Sequence, residues 1–396
     1  MLVMLFGFPI RNYKIRAVKN INPVVRSLRC WTEIQLDLLA LNLRELRSQL
    51  PCKCGVISVL KADAYGHGLV EVAMALRSES TAFAVACLSE AIKLRKGVPN
   101  HDILILGSAL PEERQQVVKC GFIASISSVE EAVEYAKYAS VRPARICIKI
   151  DTGMGRTGIW KEEVGCCLQT LARLPGISVH SIATHLPVWE EDPVFSRQQL
   201  QWMKSCGVFF QKLFPGAYLH VLNSTGVLEF PSSAFDLVRP GLALYGIAAP
   251  RRHQHRLKPV LAWKTRVISI RQVGKGRSVS YGRTYITSKA SRLATLAVGY
   301  ADGYPRSVSG SSAFVLIRGC RCPVVGRVTM DSTVVDVSEL SDIFCGEEVV
   351  LIGRDGEEGI LASDMADWAG TIAWEILTRI HPRRVARFFL SGSTVQ

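Results

Sequence analysis

From residue 36 to about residue 250 the chain alternates between two hydrophobic periods. In "DLLALNLRELRSQL", Leu39, Leu43, Leu46 and Leu50 fall on one face of a helix, and Asp37 is placed to cap its start. "GVISVLK" (55–61) is then an unbroken apolar run of strand length. The same kind of run returns in "AFAVA" (82–86), "DILILG" (102–107), "FIASI" (122–126), "ARICIKI" (144–150), "ISVHSIA" (177–183), "YLHVL" (218–222) and "FDLV" (235–238). Helical stretches, among them 70–76, 128–139, 161–173 and 194–213, lie between them. The eight runs are apolar throughout rather than alternating, which places them in a sheet buried on both faces. Parallel strands with helical crossovers are implied. Eight such units predict an α/β fold, a closed (β/α)8 TIM-type barrel over 36–260.

After about residue 260 the pattern shortens. "RVISIRQV", "RLATLAV", "AFVLIRG", "CPVVGRV", "STVVDV" and "EEVVLIG" are β-rich runs punctuated by Gly, Pro or Asp, and they predict a mainly β C-terminal domain over 261–396. "RCWTEIQL" (29–36) is strand-like and precedes the barrel, so its 29–35 portion is expected to join that second domain. Residues 1–28 are read as an N-terminal extension. "MLVMLFGFPI" is apolar but has neither a basic region before it nor a small-residue cleavage site after it, unlike a signal peptide.

Composition narrows the function classes. With 396 residues, 48% of them hydrophobic, the chain can bury a large core and more than one domain. No apolar run reaches the roughly 20 residues of a membrane span. The formal charge is +14, but the basic residues are dispersed, with local clusters only at "RRHQHR" (251–256) and "HPRRVAR" (381–387). No basic helix or nucleic-acid module accompanies them, so a solvated surface is the plain reading and a preference for small anions the functional one. The twelve cysteines form no C-x-x-C pair. They point to reduced, buried thiols in a cytoplasmic protein rather than to a disulfide framework or a metal site.

In a barrel of this type the chemistry sits at the C-terminal ends of the strands. Lys61 ends the first strand. Lys149 and Asp151 end the fifth, and Thr184 and His185 follow the sixth. Asn223 and Ser224 follow the seventh, while Arg239, Pro240 and Gly241 follow the eighth. A lone lysine at a strand end is usually a solvated gatekeeper; five segments delivering polar groups to one face are harder to dismiss. The loops after strands seven and eight commonly cradle phosphate. Ser224 offers a hydroxyl there, and Gly241 lets backbone N–H groups approach an anion. A buried lysine facing such a cradle suits a phosphate-bearing aldehyde held as a Schiff base, the chemistry of pyridoxal 5'-phosphate. Arg239 is placed to serve the pyridine nitrogen of that cofactor.

"DTGMGRTG" (151–158) has competing readings. Its G-x-G-x-x-G pattern lies after the fifth strand and lacks the acidic residue expected about 20 positions on, so a dinucleotide site is disfavoured. Asp-Thr-Gly in an α/β setting does not fit an aspartic protease, which pairs two such carboxylates. The preferred reading is a tight loop that aims Arg156 into the site; the alternative is a structural turn with a surface arginine. In the second domain, "SVSYGRTY" (278–285), "GYADGYPR" (299–306) and "GRVTMDST" (326–333) end β runs. They are either plain hairpin turns or segments that carry Tyr281 and Tyr300 to a barrel mouth, their own or a second subunit's.

Taken together, "VLKADAYGHG", "KIDTGMGRTGI", "ATH", "NSTG", "VRPGLALYG", "SVSYGRTY", "GYADGYPR" and "GRVTMDS" resemble the alanine racemase family, fold-type III pyridoxal-phosphate enzymes, from about Cys30 to Arg387. The resemblance implies a homodimer with composite active sites. Lys61 would bind the cofactor and act as acid and base on one face of the substrate Cα, and the partner subunit's Tyr281 would serve the other. Tyr65, Asn223 and Ser224, with backbone at Gly241 and Leu242, would hold the phosphate end. Arg239 would meet the pyridine nitrogen, supported by His185. Arg156 would touch the cofactor phenolate and the substrate carboxylate, and Lys149, carbamylated in many members, would orient it. The partner subunit's Met330 would help bind the carboxylate, and Tyr300 would line the access route. Some positions depart from the family. Trp374 in "TIAWEI" replaces a tyrosine that helps hold the phosphate, and indole N–H is a donor only. "LPVWEEDP" after His185, Thr329 and Ser332 are also unusual, and these changes bear on substrate range.

The implied function is a cytoplasmic racemase interconverting L- and D-alanine and supplying D-alanine for peptidoglycan. A broader racemase that also accepts serine is the near alternative. A non-catalytic pyridoxal-phosphate-binding barrel is the distant one, disfavoured by the second domain with Tyr281 in place. A decarboxylase of the same fold type is disfavoured by "SYG" and "GYADGYPR".

Overall fold

The computed structural model describes residues 28–188 and 191–391; the 1–28 extension therefore lies outside it except for its last residue, as do Trp189 and Glu190 of the altered loop. All eight apolar runs are strands of one parallel sheet: Gly55–Val59, Ala82–Val85, Asp102–Ile105, Ile123–Ile126, Ala144–Asp151, Ile177–Ala183, Tyr218–Asn223 and Leu237–Arg239. Leu237 pairs with Gly55 at one seam, and Ala124 pairs with Ile146 across the other, which closes the barrel. Val56, Ile57, Phe83, Ile146 and Val221 are inaccessible to solvent, as unbroken apolar runs require.

The first crossover helix, Leu36–Ser48, buries Leu39, Leu43 and Leu46 as its spacing predicts. Its N-cap is Gln35 rather than Asp37, which sits one position inside the helix, where a carboxylate favours the positive end of the helix dipole. The same face buries Asn42. Its amide donates to the carbonyls of Leu244 (3.0 Å) and Lys258 (2.8 Å) and accepts from Lys258 N–H (2.8 Å), pinning the helix to the segment that leaves the barrel.

The second sheet runs in the order Cys320–Pro323, Phe314–Ile317, Glu348–Asp355, Leu261–Val273, Cys30–Gln35, Ala386–Leu390, with Ser291–Leu296 branching from Leu261–Val273 and Thr333–Asp336 pairing in turn with Ser291–Leu296. Cys30–Gln35 joins this sheet, antiparallel to Leu261–Val273 and parallel to Ala386–Leu390. Trp31 and Trp263 from that centre are fully buried.

The basic clusters are absorbed by ion pairs. In "RRHQHR", Arg251 meets Asp364 (3.1 Å) and Asp367 (2.6 Å), Arg252 and His253 share Glu229, and Arg256 reaches Glu45 (2.9 Å). In "HPRRVAR", Arg384 bridges Asp302 (2.8 Å) and Asp331 (2.6 Å), and Arg387 meets Asp63 (2.9 Å). These cations stitch the fold rather than offer an anion site. All twelve cysteines are free thiols, but only Cys30, Cys54, Cys147 and Cys322 are buried; Cys52, Cys87, Cys166, Cys320 and Cys345 are exposed, against the expectation of buried thiols throughout. Among the described residues no helix is long and apolar enough to cross a membrane, and no group of His, Cys, Asp and Glu could hold a metal ion.

Candidate active site

The first barrel strand ends in a turn of unusual hand. Ala62, Asp63 and Ala64 have φ/ψ near 54/52, 53/46 and 55/49°, and Tyr65 has φ 54°. This is a turn of left-handed helix, closed by Ala64 N–H to Leu60 O (2.8 Å), Gly66 N–H to Ala62 O (2.9 Å) and Gly68 N–H to Asp63 O (2.9 Å). Left-handed helix costs L-residues about 1–2 kcal/mol each, so the turn persists only because its surroundings over-determine it. Glu90 accepts the Ala62 N–H (2.7 Å). Asp63 accepts from Leu69 N–H (3.1 Å) and pairs with Lys93 (3.0 Å) and Arg387 (2.9 Å). The buried His67, pushed down to about 4 by desolvation and hence neutral, donates from Nδ1 to the carbonyls of Ala64 (3.0 Å) and Tyr65 (2.9 Å). Gly66 continues the left-handed path with φ 81°, and a Cβ there would lie 2.5 Å from the Leu377 carbonyl oxygen. The result is that Lys61 and Tyr65 both line one cavity of about 340 Å³.

Among the described residues, four cations line that cavity, Lys61, Lys149, Arg156 and Arg239, and no Asp or Glu does. Lys61 is held below the usual amine range by burial first and by Arg156 second, with Glu90 pulling the other way. Lys149 is lowered by burial, then by Arg156 and Arg239, and its Nζ donates to Thr157 Oγ1 (2.8 Å). Arg239 is buried, Lys61 and Lys149 are partly so and Arg156 is exposed; this excess of positive charge on one wall favours an anion there.

Arg156 reaches the cavity as the tight-loop reading expects. The Asp151 carboxylate accepts the N–H groups of Gly153 (2.8 Å), Gly155 (3.1 Å) and Arg156 (3.1 Å), folding "DTGMGR" around itself. Burial alone would raise Asp151, but the N–H groups of Gly155, Gly153, Arg156 and Met154 keep it below the ordinary carboxylate range. Asp151 is thereby a backbone anchor, not a catalytic acid.

Arg239 is fully desolvated, which brings it down to about 10, still protonated at neutral pH. Its guanidinium donates to the carbonyls of Thr184 (2.5 Å), His220 (2.7 Å) and Val221 (3.0 Å), and to His220 Nδ1. Because guanidinium only donates, Nδ1 of His220 accepts, and the proton sits on Nε2, which lies 3.7 Å from the Cys147 thiol. His220 stays neutral, lowered by burial and then by Arg239. His185 also lines the cavity and is pushed down to about 3 by burial and by Arg239, Lys149, Arg156 and Lys61. The hydrogen-bonded histidine beside Arg239 is thus His220, a residue the sequence reading passed over. Its only signal was one titratable side chain inside the apolar run "YLHVL".

At another part of the wall, Ser224 Oγ accepts the N–H groups of Gly241 (2.8 Å) and Ala243 (3.2 Å), which leaves its own proton to give. Asn223 caps the helix Ser224–Glu229 through Gly226 N–H (3.0 Å). A Cβ on Gly241 would stand 2.5 Å from the Tyr65 hydroxyl, so only glycine leaves this space open. Leu242, and Trp374 from the second-domain helix Ala373–Arg379, line the same cavity. Four cations, the hydroxyls of Tyr65 and Ser224 among others, and a wall that a methyl group would fill match the donor set an anionic, phosphorylated aldehyde needs. The residues fit pyridoxal phosphate.

Tyr281, Tyr300 and Met330 do not line the cavity of their own chain. They are 71%, 43% and 53% exposed. Their loops lie together: Tyr300 N–H meets Thr329 O (3.0 Å), Ala301 N–H meets Met330 O (3.0 Å), and Ser280 Oγ meets Arg327 O (2.5 Å).

Comparison with known proteins agrees with this geometry. The family profile for the alanine racemase N-terminal domain matches residues 34–249, and that for the alanine racemase C-terminal domain matches residues 260–389. An alanine racemase of Methylacidiphilum infernorum is 40% identical over 370 residues, 92% of this chain and 94% of that protein. The crystal structure of alanine racemase from D-cycloserine-producing Streptomyces lavendulae superposes with a TM-score of 0.85 at 32% identity, covering 92% of this chain and 98% of the other. A Bartonella henselae alanine racemase with covalently bound pyridoxal phosphate gives 0.83 at 28% identity over 91% and 99% of the two chains. Profile matches along most of its length, relatives of this identity and a barrel followed by a β domain of the same shape place this chain in the alanine racemase family of isomerases.

Proposed function

We propose that this protein interconverts L- and D-alanine with pyridoxal phosphate, as a cytoplasmic homodimer that supplies D-alanine for peptidoglycan. The observation that carries the proposal is the cavity itself: Lys61 together with three further cations and, among the described residues, no carboxylate in the lining. Ser224, Tyr65, Asn223 and the backbone at Gly241 and Leu242 would hold the phosphate, Lys61 the aldehyde carbon and Arg239 the pyridine nitrogen. When bound, pyridoxal phosphate supplies an electron sink that makes the Cα proton of an amino acid removable.

The rest is the work of the chain's own side chains. Lys61, its pKa lowered by burial and then by Arg156, would take or return a proton at Cα on one face. The partner subunit's Tyr281 would do the same on the other face, which accounts for its exposure in the isolated chain. Arg239, with Nη1 and Nη2 held by three carbonyls and the His220 imidazole, stays a cation that does not give up its proton, so a pyridine nitrogen beside it would remain unprotonated and side reactions would be restrained. Arg156 and the partner subunit's Met330 would fix the substrate carboxylate, and Tyr300 would line the approach. Lys149, its amine lowered by burial and then by Arg156 and Arg239, is drawn toward the form that would take up carbon dioxide. As a carbamate it would orient Arg156.

Purified protein given pyridoxal phosphate and L-alanine should form D-alanine until the two are equal; an optically unchanged sample would exclude the activity. Trp374 on the cavity wall favours a second reading, a wider range including serine. Rates for alanine and serine measured side by side separate the two.

A further inference from the structure

We infer that Asp63 and Arg387 are a positioning pair whose ion pair, spanning the barrel and the β domain, keeps the turn Ala62–Tyr65 left-handed and so keeps Lys61 and Tyr65 on the cavity wall. The inference deepens the proposed function, because it rests on Lys61 being the residue that captures pyridoxal phosphate.

The turn is a conformation its own residues do not choose: Ala62, Asp63, Ala64 and Tyr65 all have φ between 53 and 55°, and none is glycine. Lys61 precedes this turn and Tyr65 ends it, so its hand fixes the relative direction of the two side chains. Relaxation to the right-handed form would reverse that direction without breaking the chain. The barrel contributes Glu90 and Lys93 to hold it. His67 holds it from within the same segment through the carbonyls of Ala64 and Tyr65. A further side-chain anchor comes from the far end of the sequence. Arg387 lies on Ala386–Leu390, the strand beside Cys30–Gln35, and its guanidinium meets Asp63 Oδ2 at 2.9 Å. The two side chains are largely screened from solvent, at 20% and 34% exposure, so the pair is not a loose surface contact. The second domain also rests directly on the turn: a Cβ at Gly66 would meet the Leu377 carbonyl oxygen at 2.5 Å, and one at Gly68 would meet the Phe389 ring at 2.7 Å. Asp63, though drawn upward by burial, is held below its ordinary range by Lys93, Arg387 and the Leu69 N–H, so it is an anion there at neutral pH. Neither residue lines the cavity, so both act through Lys61 and Tyr65.

The test uses the full-length protein and the variants Asp63→Asn, Arg387→Met, their double mutant and the conservative Arg387→Lys. Arg321→Met, which breaks the exposed Arg321–Glu358 pair, is the control. Two readouts are taken. In the first, graded pyridoxal phosphate is captured on Lys61, trapped with borohydride and counted by mass spectrometry. Half-capture should need about tenfold more cofactor in either single variant, the double should be no worse than the poorer single, and Arg387→Lys should recover most of the loss. In the second, amide hydrogen exchange without cofactor should be at least about tenfold faster at Ala64, Gly66 and Gly68 in the single variants, with the helix Pro111–Cys120 unchanged. Unchanged exchange in the turn overturns the inference, as does faster exchange with wild-type capture, or singles whose effects simply add. If Asp63→Asn does not fold, the two Arg387 variants decide by the same criteria. A wild-type protein that captures nothing on Lys61 instead overturns the functional reading, and the exchange result still judges whether the pair holds the turn.

Discussion

Arg239 and His220 are locked to each other twice, the guanidinium donating both to the imidazole Nδ1 and to the carbonyl oxygen of the same residue. The imidazole of His220 gives a buried cation an acceptor that no solvent can replace. In His220→Phe that acceptor is gone. We expect a loss of about 1–3 kcal/mol in urea unfolding of the cofactor-free protein. A variant as stable as wild type would mean the three carbonyls suffice for Arg239.

Gly241→Ala places a methyl group 2.5 Å from the Tyr65 hydroxyl, on the wall where Ser224 also offers its proton. Overpacking of this kind costs about 1–3 kcal/mol, which appears as a weaker hold on pyridoxal phosphate by roughly tenfold or more in a fluorescence titration. Tyr65→Phe on the Gly241→Ala background should relieve the clash and recover thermal stability, but not phosphate affinity.

The buried histidines set an acid limit. His67 is pushed down to about 4 and His220 well below its ordinary value, both chiefly by desolvation. In the unfolded chain each titrates near 6.5. Between those values the unfolded state binds more protons, so stability rises with pH there and is lost as pH falls from about 6.5 toward 4. Each such histidine adds a slope of up to about 1.4 kcal/mol per pH unit to unfolding free energies measured across that window. His67→Asn should flatten the profile; an unaltered slope would show that His67 is not neutral in the fold.

Lys61→Ala should abolish borohydride-trapped cofactor altogether. Tyr281→Phe should leave trapping intact and lower turnover about 10²–10⁴-fold, measured by formation of D-alanine. Mixing the two inactive variants tests the composite site. A hybrid dimer has one site with both defects and one with neither, so partial activity should return on mixing, whereas none returns if each chain completes its own site.

The barrel was legible because both-face burial leaves an unmistakable apolar run, and each of the eight runs between residues 55 and 239 became a strand. The strand-end polar groups were legible for the same reason: Lys61, Lys149, Asn223 and Arg239 stand where an apolar run stops. The left-handed turn was not, since Ala, Asp and Tyr carry no signature for positive φ, and the residues that impose it, Glu90 and Arg387, are remote in sequence. Asp37 misled because capping residues and first-turn acids share a composition; the backbone of Gln35 decides which is which. His220 was hidden inside a hydrophobic run, where its role depends on a guanidinium from the next strand.

The pairing of Trp31 with Ala386 has a consequence for synthesis. Every barrel strand lies between residues 55 and 239, so that unit has all its parts while the ribosome is still making the second domain. The strand Cys30–Gln35, translated before any of them, finds one neighbour only when Leu261–Val273 is made, and its other edge must wait until residues 386–390 emerge. An apolar strand made early and completed only by the end of the second domain is a segment a chaperone would protect in the interval.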